Sequence, residues 1–339
     1  MSDRVEQRLA EVSTVVRDRM APHLGDPHGS ELAPLMRSYP DRGGKGIRPA
    51  LLIATCEAFG GSEEDAMPAA VSAELLHNAF LVHDDVEDDS DRRRGRPSLH
   101  REVGLARAVN TGDALAVAAL RPIHEDTAMS STLQRAVVAE WMRMASTTVS
   151  GQATELSWRT TPTVSLTPDD YLELILRKTC WYTTIFPLRV GAMIATRAQV
   201  DLEDLTRFGF LLGAAFQIRD DLLDLVAEPA GYGKDLHGDL WEGKRTLMLI
   251  HLARDVKGDE ARRLDEYLAK DRRSRTDDDV AMVHRMMLDH GSVHFAQEFG
   301  LGIARAAADA FDGAFRSSWP GGSRDFVRDL VPYMLTRAA

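Results

Sequence analysis

The chain has 339 residues, of which 44% are hydrophobic and 27% charged, a composition typical of a globular protein with a large core. Its formal net charge of −11 argues against a general binding surface for nucleic acid or anionic membranes. The two cysteines, Cys56 and Cys180, lie far apart, and no apolar run reaches the roughly 18 residues of a transmembrane segment. We therefore expect a soluble cytoplasmic protein without a disulfide framework or a zinc site.

The amino-terminal region is expected to form an amphipathic helix, because Val5, Leu9 and Val12 recur at helical spacing. Charges are scattered through this stretch, whereas a signal peptide needs an unbroken apolar segment. A turn-rich loop follows at 38–49, and Pro49 suits the first turn of the next helix.

Helical periodicity continues through the rest of the chain, and strand alternation is nearly absent. The further predicted elements are a long helix over 68–89, a helix with Thr167 as N-cap and Pro168 at its first position, a long helix over 202–225, charged outer helices and turns over 255–279, and a last helix after the break at 319–322. The sequence therefore predicts an all-α architecture of ten or more helices.

Two of the predicted helices end in the same pattern. Residues 79–85, AFLVHDD, resemble residues 215–221, AFQIRDD, and a further aspartate follows three residues later, as Asp88 and Asp224. If the two copies perform the same role, both halves of the chain face one site. The repeat therefore favours a single domain over 1–339.

The two copies carry six aspartates: Asp84, Asp85 and Asp88 in the first, and Asp220, Asp221 and Asp224 in the second. On a helix the first and third of each set share a face, where like charges repel by roughly 0.2–0.5 kcal/mol per pair. One such motif is equally compatible with a solvated helix end, but both copies follow a strongly apolar stretch. A hard cation explains them better, since Mg²⁺ binds one or two carboxylates and completes its shell with water and phosphate oxygens.

Lysines and arginines cluster around both acidic motifs: Lys45 and Arg48 before the first, Arg92, Arg93, Arg94 and Arg96 after it, and Lys234 and Lys244 after the second. Arginine forks suit bidentate recognition of phosphate, and lysine acts as a point charge. An isolated arginine run beside acidic residues is more often a set of surface ion pairs. Clusters beside both motifs favour a phosphorylated ligand.

In this order the motifs resemble those of the trans-isoprenyl diphosphate synthases, the polyprenyl synthetase family that includes farnesyl and geranylgeranyl diphosphate synthases. The matching segments are 44–49, His77, 84–88, 93–95, 178–179, 216–224, 233–235, 239–240 and 243–246. The resemblance implies the isoprenoid synthase type I fold, in which a single-domain helical bundle surrounds a central catalytic cavity. It also implies a homodimer.

The resemblance further implies roles for individual residues. Asp84, Asp88 and Asp220 would bind Mg²⁺, three ions per site with substrate bound, and Asp85, Asp221 and Asp224 would orient metal-bound water or bind secondarily. The residues expected at the allylic diphosphate (dimethylallyl, geranyl or farnesyl) are Arg93, Lys178, Thr179, Gln217, Lys234 and Lys244. Those expected at isopentenyl diphosphate are Lys45, Arg48, His77 and Arg94. A lone histidine is more often a core residue, but His77 lies two turns before the first motif.

The implied reaction is the head-to-tail (1′-4) condensation of isopentenyl diphosphate with an allylic diphosphate. Mg²⁺ and the basic side chains would neutralise the leaving diphosphate, and the double bond of isopentenyl diphosphate would attack the resulting allylic cation. Proton loss, for which the departing diphosphate is the expected acceptor, would leave a trans double bond and a chain five carbons longer.

Product length is expected to depend on residues that precede the first motif on its helix, at about 1.5 Å per residue. Ala79 leaves the path of the growing tail open, Phe80 restricts it from the side, and Leu76 and Leu75 lie deeper. These residues favour a C20 product, geranylgeranyl diphosphate, over C15 and over C25 or longer. Ala79→Tyr is expected to shorten the product.

Two alternative functions stay open. A class I terpene cyclase also uses an acidic motif with Mg²⁺, but it lacks a second phosphate clamp such as the glycine-rich loop at 43–49. A non-catalytic partner subunit commonly lacks aspartates from one motif, whereas all six are present here. The chain also departs from the family pattern: its first motif is the short DDxxD form, and Gly46 replaces a bulkier residue, which is expected only to loosen the loop.

Overall fold

The computed structural model describes residues 2–26, 29–161, 165–226 and 237–336. In these ranges the chain is almost entirely helical, and its β-structure is one antiparallel pair, β1 (Arg92–Arg93) with β2 (Arg96–Pro97). The predicted all-α class with ten or more helices is confirmed. None of the helices described in these ranges combines the length and apolarity that a bilayer crossing requires.

The helices are divided between the two halves of the chain. The first contains α1 (Ser2–Met20), α2 (Leu32–Asp41), α3 (Ile47–Ala58), α4 (Glu63–Glu87), α5 (Leu99–Val103), α6 (Leu105–Ala119), α7 (Arg121–Glu125) and α8 (Ser131–Thr160). The second contains α9 (Pro168–Ile175), α10 (Phe186–Thr196), α11 (Glu203–Val226), α12 (Gly238–Glu242), α13 (Leu247–Asp255), α14 (Asp259–Leu268), α15 (Asp277–Asp289), α16 (Ser292–Ala314) and α17 (Gly322–Thr336). A π-helix (Leu176–Ile185) joins α9 to α10, and 3₁₀ turns occur at Ala21–Leu24 and Arg272–Ser274.

The helix that carries the first acidic motif, α4, begins earlier than predicted. The Ser62 hydroxyl accepts a hydrogen bond from the Asp65 backbone N–H at 3.2 Å, and the Asp65 carboxylate accepts one from the Ser62 N–H at 3.0 Å. Pro68 therefore lies inside the helix rather than at its start. The predicted start at 68 is wrong because the capping box lies upstream of the proline.

The helix boundaries predicted for the second half of the chain lie closer to the observed ones. Thr167 caps α9 with Pro168 at the first helical position, as predicted. The long helix predicted over 202–225 is α11, displaced by one residue at each end. The charged stretch forms α14 and the start of α15, and the break at 319–322 precedes α17.

The two helices that end in acidic motifs, α4 and α11, lie at the centre of the fold. α4 packs against α3 and α6, and α11 packs against α16 and the π-helix. The buried apolar side chains form two clusters, and α11 contributes to both: Phe208 and Leu212 to the first, Ile218 and Leu222 to the second. That helix therefore ties the two clusters together directly before its acidic end.

Glycines on the neighbouring helices hold the π-helix at close range. A Cβ added at Gly151 on α8 would lie 2.5 Å from the Lys178 backbone nitrogen, and one at Gly213 on α11 would lie 2.5 Å from the Thr184 hydroxyl. Larger side chains at these positions would push the helices apart. The π-helix, an element frequent at functional sites, is therefore fixed from two sides where it presents Lys178 and Thr179.

Candidate active site

A cavity of about 730 Å³ opens among α4, α8, α11 and the π-helix. The predicted site residues that line it are Lys45, Arg48, His77, Phe80, Asp84, Arg93, Arg94, Lys178, Thr179, Gln217, Asp220, Asp221, Asp224 and Lys244. Those that are buried outside its lining are Asp85, Asp88, Ala79, Leu75 and Leu76. Lys234, predicted to bind the allylic diphosphate, lies outside the described residues.

Adjacent aspartates of the first motif have different surroundings. The side chain of Asp84 is 25% exposed at the cavity, whereas that of Asp85 is fully buried. The Asp85 carboxylate accepts hydrogen bonds from Arg93 Nε at 2.8 Å and from the Tyr39 hydroxyl at 2.5 Å. Because consecutive helical residues project about 100° apart, Asp84 reaches the cavity while Asp85 ties α4 to Tyr39 on α2 and to Arg93 on β1.

The last aspartate of the first motif, Asp88, ends α4 and is buried. Its carboxylate pairs with the Arg159 guanidinium and with Lys244 Nζ at 3.3 Å. Burial acts to raise the pKa of Asp88, but the positive charges of Lys244, Lys178 and Arg159 lower it below its ordinary value. Asp88 is therefore an ionised carboxylate held between basic groups from α8 and from the loop after α12.

In the second motif, as in the first, a buried tyrosine donates a hydrogen bond to the second aspartate. Asp221 accepts hydrogen bonds from the Tyr171 hydroxyl and from Gln217 Nε2, both at 2.7 Å, and Gln217 accepts one from the Thr179 hydroxyl at 2.8 Å. Burial, followed by the negative charge of Asp239, raises the pKa of Asp221 well above its ordinary value. A buried tyrosine therefore fixes the second aspartate of each motif.

Lys178 lies between acidic groups. It pairs with Glu155 on α8, and its Nζ is 3.7 Å from Asp84 Oδ1. Burial lowers the pKa of an ammonium group, but Glu155 and then Asp84 raise the pKa of Lys178 above its ordinary value. Lys178 therefore keeps its positive charge at the cavity.

Lys244 is held in the same manner. Its Nζ is 2.6 Å from Glu242 Oε2 and 3.4 Å from Asp239 Oδ1. Burial raises the pKa of Glu242 to about 8, although the charge of Lys244 opposes this shift. The backbone N–H of Asp239 also donates to the Asp224 carboxylate at 3.0 Å. The loop that carries Lys244 is thereby linked to the second acidic motif.

The residues predicted to bind isopentenyl diphosphate form a second basic group. Arg48 donates from Nη2 to the Thr183 hydroxyl at 3.0 Å, and its guanidinium lies 4.3 Å from the centroid of the Tyr182 ring. Burial lowers the pKa of His77 well below its ordinary value, and the charges of Arg48 and Arg94 lower it further. His77 is therefore neutral and offers one ring N–H as a donor.

Sequence reasoning missed five residues of the site: Tyr39, Tyr171, Glu155, Arg159 and Glu242. Gln152, Glu155 and Arg159 recur at helical spacing along α8, and this polar face is a signal that could have found two of them. The tyrosines carry no such signal. They contact aspartates 46 and 50 positions away, so only the tertiary structure reveals them.

The acidic residues at the cavity fit a hard divalent cation. Among the residues that the structure describes, no three aspartate, glutamate, histidine or cysteine side chains come close enough together to hold a metal ion by themselves. Asp84 on α4 and Asp220 on α11 both line the cavity. Their carboxylate oxygens are donors that Mg²⁺ prefers, and phosphate oxygens commonly complete its shell. This donor set suits Mg²⁺ bound together with a diphosphate.

Comparison with known sequences shows a relationship over most of the chain. The family model for polyprenyl synthetase matches residues 30–287. The geranylgeranyl diphosphate synthase of Methanosarcina mazei is 34% identical over 254 residues, which cover 74% of each chain. The geranylfarnesyl diphosphate synthase of Natronomonas pharaonis is 29% identical, with 99% of each chain covered.

The fold agrees with this relationship. The structure of a geranylgeranyl pyrophosphate synthase from Corynebacterium glutamicum, complexed with isoprenyl diphosphate and magnesium, matches with a TM-score of 0.86 at 25% identity. The match covers 97% of this chain and 99% of that one. The chain therefore belongs to the polyprenyl synthetase family and is a prenyltransferase of the isoprenyl diphosphate synthase class.

Proposed function

We propose that the chain condenses isopentenyl diphosphate with an allylic diphosphate in a Mg²⁺-dependent, head-to-tail (1′-4) reaction. The observation that carries this proposal is that both predicted groups of basic side chains line one cavity. Lys178 and Lys244 lie beside the acidic motifs, whereas Arg48 lies beside Tyr182. Two diphosphates bound at these places would have their hydrocarbon ends in the same enclosed space.

Asp84, Asp220 and Asp224 line the cavity and would hold the metal, whereas Asp88, predicted as a further ligand, is paired with Arg159 and Lys244 outside the lining. Bound Mg²⁺ would neutralise negative charge on the leaving diphosphate, and three ions per site remain the expected number. The M. mazei and C. glutamicum relatives support the substrate class, and the latter supports the metal. Asp85 and Asp221 would act through the neighbours that they hold in place.

The side chains at the cavity would stabilise charge during the reaction. Lys178, Lys244 and Arg93 would bind the leaving diphosphate as the carbon–oxygen bond breaks. Thr179 and Gln217 are fixed in place by their hydrogen bonds, and their oxygens would face the developing allylic cation. The double bond of isopentenyl diphosphate attacks the allylic cation and forms the new carbon–carbon bond. The isopentenyl unit then loses a proton, which passes to the departing diphosphate.

The test of this function is a product assay with labelled isopentenyl diphosphate and each primer: dimethylallyl, geranyl or farnesyl diphosphate. Reactions with and without Mg²⁺ are dephosphorylated, and the alcohols are separated by chromatography. Elongation that needs both Mg²⁺ and primer supports the proposal. A hydrocarbon formed without consumption of isopentenyl diphosphate would indicate a class I terpene cyclase, and absence of any product would indicate a non-catalytic subunit.

For product length we propose geranylgeranyl diphosphate, C20. Phe80 lines the cavity one helical turn before Asp84, and its ring meets that of Tyr182 edge-on, with centroids 5.7 Å apart. Ala79 is fully buried outside the lining. We therefore propose Phe80 as the side chain that limits the hydrocarbon tail, whereas a tyrosine at position 79, expected from the sequence to shorten the product, would overpack the core. The M. mazei relative supports C20, and the N. pharaonis relative represents the C25 alternative.

Replacement of Phe80 is expected to change product length. Phe80→Ala removes the ring from the cavity wall, so the main alcohol is expected to become at least one C5 unit longer than that of the wild type. The measurement is the chromatography described above. Phe299→Ala on α16, outside the cavity lining, is the control and should leave the product unchanged. A dominant C15 alcohol from the wild type would contradict the C20 proposal.

We also propose that the chain is a homodimer. Large apolar side chains are exposed on two helices: Leu105, Val109 and Val117 on α6, and Met142 on α8. Val117 is 76% exposed, although apolar rows of this kind are normally covered. A second copy of the chain, seated on these rows, would remove them from water.

A charge in this row is expected to separate the two copies. Val117→Glu should shift the mass measured by light scattering from about 75 kDa, twice the 37.5 kDa of one chain, to that of one chain. Leu288→Glu, at a similarly exposed position on α15, is the control and should stay dimeric. A wild type that elutes as one chain at micromolar concentration would contradict the homodimer.

A further inference from the structure

The glycine-rich loop predicted to bind isopentenyl diphosphate, 43–49, rests on the amino-terminal helix with the part that precedes α3. The Ser13 hydroxyl on α1 donates a hydrogen bond to the Gly44 carbonyl at 2.9 Å. A Cβ added at Gly46 would lie 2.9 Å from Ser13 Cβ and 3.4 Å from the Leu9 carbonyl oxygen. The loop backbone is therefore in direct contact with α1.

This contact gives Gly46 a different role from the one expected. Gly46 has φ of 62° and forms the N-cap of α3, a left-handed conformation that favours glycine. Its lack of a side chain lets the loop lie against α1, so it does not simply loosen the loop. Arg48 follows in the first turn of α3, and its position depends on where that helix begins.

The opposite side of the loop contacts Arg94, another residue predicted to bind isopentenyl diphosphate. A Cβ added at Gly44 would lie 2.8 Å from Arg94 Nη2. The loop is thus enclosed between α1 and Arg94, and Lys45 is carried between the two contacts. The helix itself is firmly placed, because it packs against α3, α4 and α17 and buries Val5, Leu9, Val12, Val16 and Met20.

From these contacts we propose that Ser13 is a positioning residue for isopentenyl diphosphate. It acts through the Gly44 carbonyl and holds the loop so that Lys45, Arg48 and Arg94 converge on one diphosphate. The proposal rests on the proposed function, because the loop's ligand is assigned there. Helix α1, which lies outside the residues matched by the family model, would thereby contribute to substrate binding.

The test compares the two substrates of one enzyme. Ser13→Ala removes one hydrogen bond, so the Kd for isopentenyl diphosphate measured by calorimetry, and its KM, are expected to rise about threefold to tenfold. The KM for the allylic diphosphate should stay within twofold. Gly46→Ala, which pushes the loop off α1, should raise the same Kd by about tenfold to 100-fold.

Thr14→Ala is the matched control. Thr14 is the exposed neighbour of Ser13, and its hydroxyl donates to the Ala10 carbonyl of the same helix, at 3.0 Å. Equal rises in both KM values for Ser13→Ala, or no rise in the Kd, would overturn the proposal. If the wild type binds isopentenyl diphosphate but forms no condensation product, the proposed function fails and the role of Ser13 in binding is still decided by the Kd.

Discussion

Asp84→Asn is expected to lower kcat/KM for the condensation about 1,000-fold while the protein stays folded. Asp84 is the aspartate of the first motif that lines the cavity, so its charge is available to a metal that carries the leaving diphosphate. Loss of one preorganised group at a developing charge costs about 100-fold to 1,000-fold, and loss of a metal ligand falls at the upper end. Steady-state kinetics at saturating Mg²⁺ provide the measurement.

Asp89→Asn is the control for this experiment. Asp89 lies next to the motif but pairs with Arg101 and Arg273 away from the cavity lining, so its variant should keep nearly full activity. The stability of Asp84→Asn should change by less than about 1 kcal/mol, because the Asp84 side chain is a quarter exposed and its partners Arg93 and Lys178 keep their pairs with Asp85 and Glu155. Unchanged activity in Asp84→Asn would remove this residue from the proposed metal site.

The neighbouring substitution, Asp85→Asn, is expected to act mainly on stability. Asp85 is fully buried and pairs with Arg93, which is also buried. The substitution breaks this buried pair and leaves Arg93 with its longer contact to Asp84, at 3.4 Å, so the free energy of unfolding is expected to fall by about 3–5 kcal/mol. Urea unfolding followed by tryptophan fluorescence, at one fixed protein concentration, measures this change.

Tyr39→Phe separates the contributions to the Asp85 site. It removes the hydroxyl that donates to Asp85 and that accepts a hydrogen bond from the Leu99 backbone N–H at 3.0 Å, so the expected loss is about 1–3 kcal/mol. Tyr333→Phe, on α17, is the control for loss of a buried tyrosine hydroxyl elsewhere. If Asp85→Asn is as stable as the wild type but inactive, Asp85 acts directly on the metal or substrate instead of supporting the helix.

Local patterns were sufficient for the helical class and for most of the candidate site. The 3.6-residue periodicity and the Thr167 cap identify helices without knowledge of their neighbours. The repeated acidic motif and its basic flanks predict a diphosphate site, because charge and spacing along one helix are local properties. The start of α4 also has a local signal, the capping box at Ser62, which lies upstream of the boundary predicted at Pro68.

Three features of the site depend on residues distant in sequence. Helical spacing alone does not distinguish Asp84 from Asp85 as the group at the cavity, because Tyr39 and Arg93 determine which one is buried. The π-helix forms where glycines of α8 and α11 let three backbones approach. Gly46 faces α1 rather than an open loop.

By itself, therefore, the sequence determined the helical class, the two acidic motifs and the basic groups that accompany them. Only the tertiary structure decided that Phe80 lies at the cavity while Ala79 lies in the core, and that tyrosines hold the second aspartate of each motif. The physical reason is that periodicity specifies which residues share a helix face. Which face meets the cavity is set by packing between helices that are far apart along the chain.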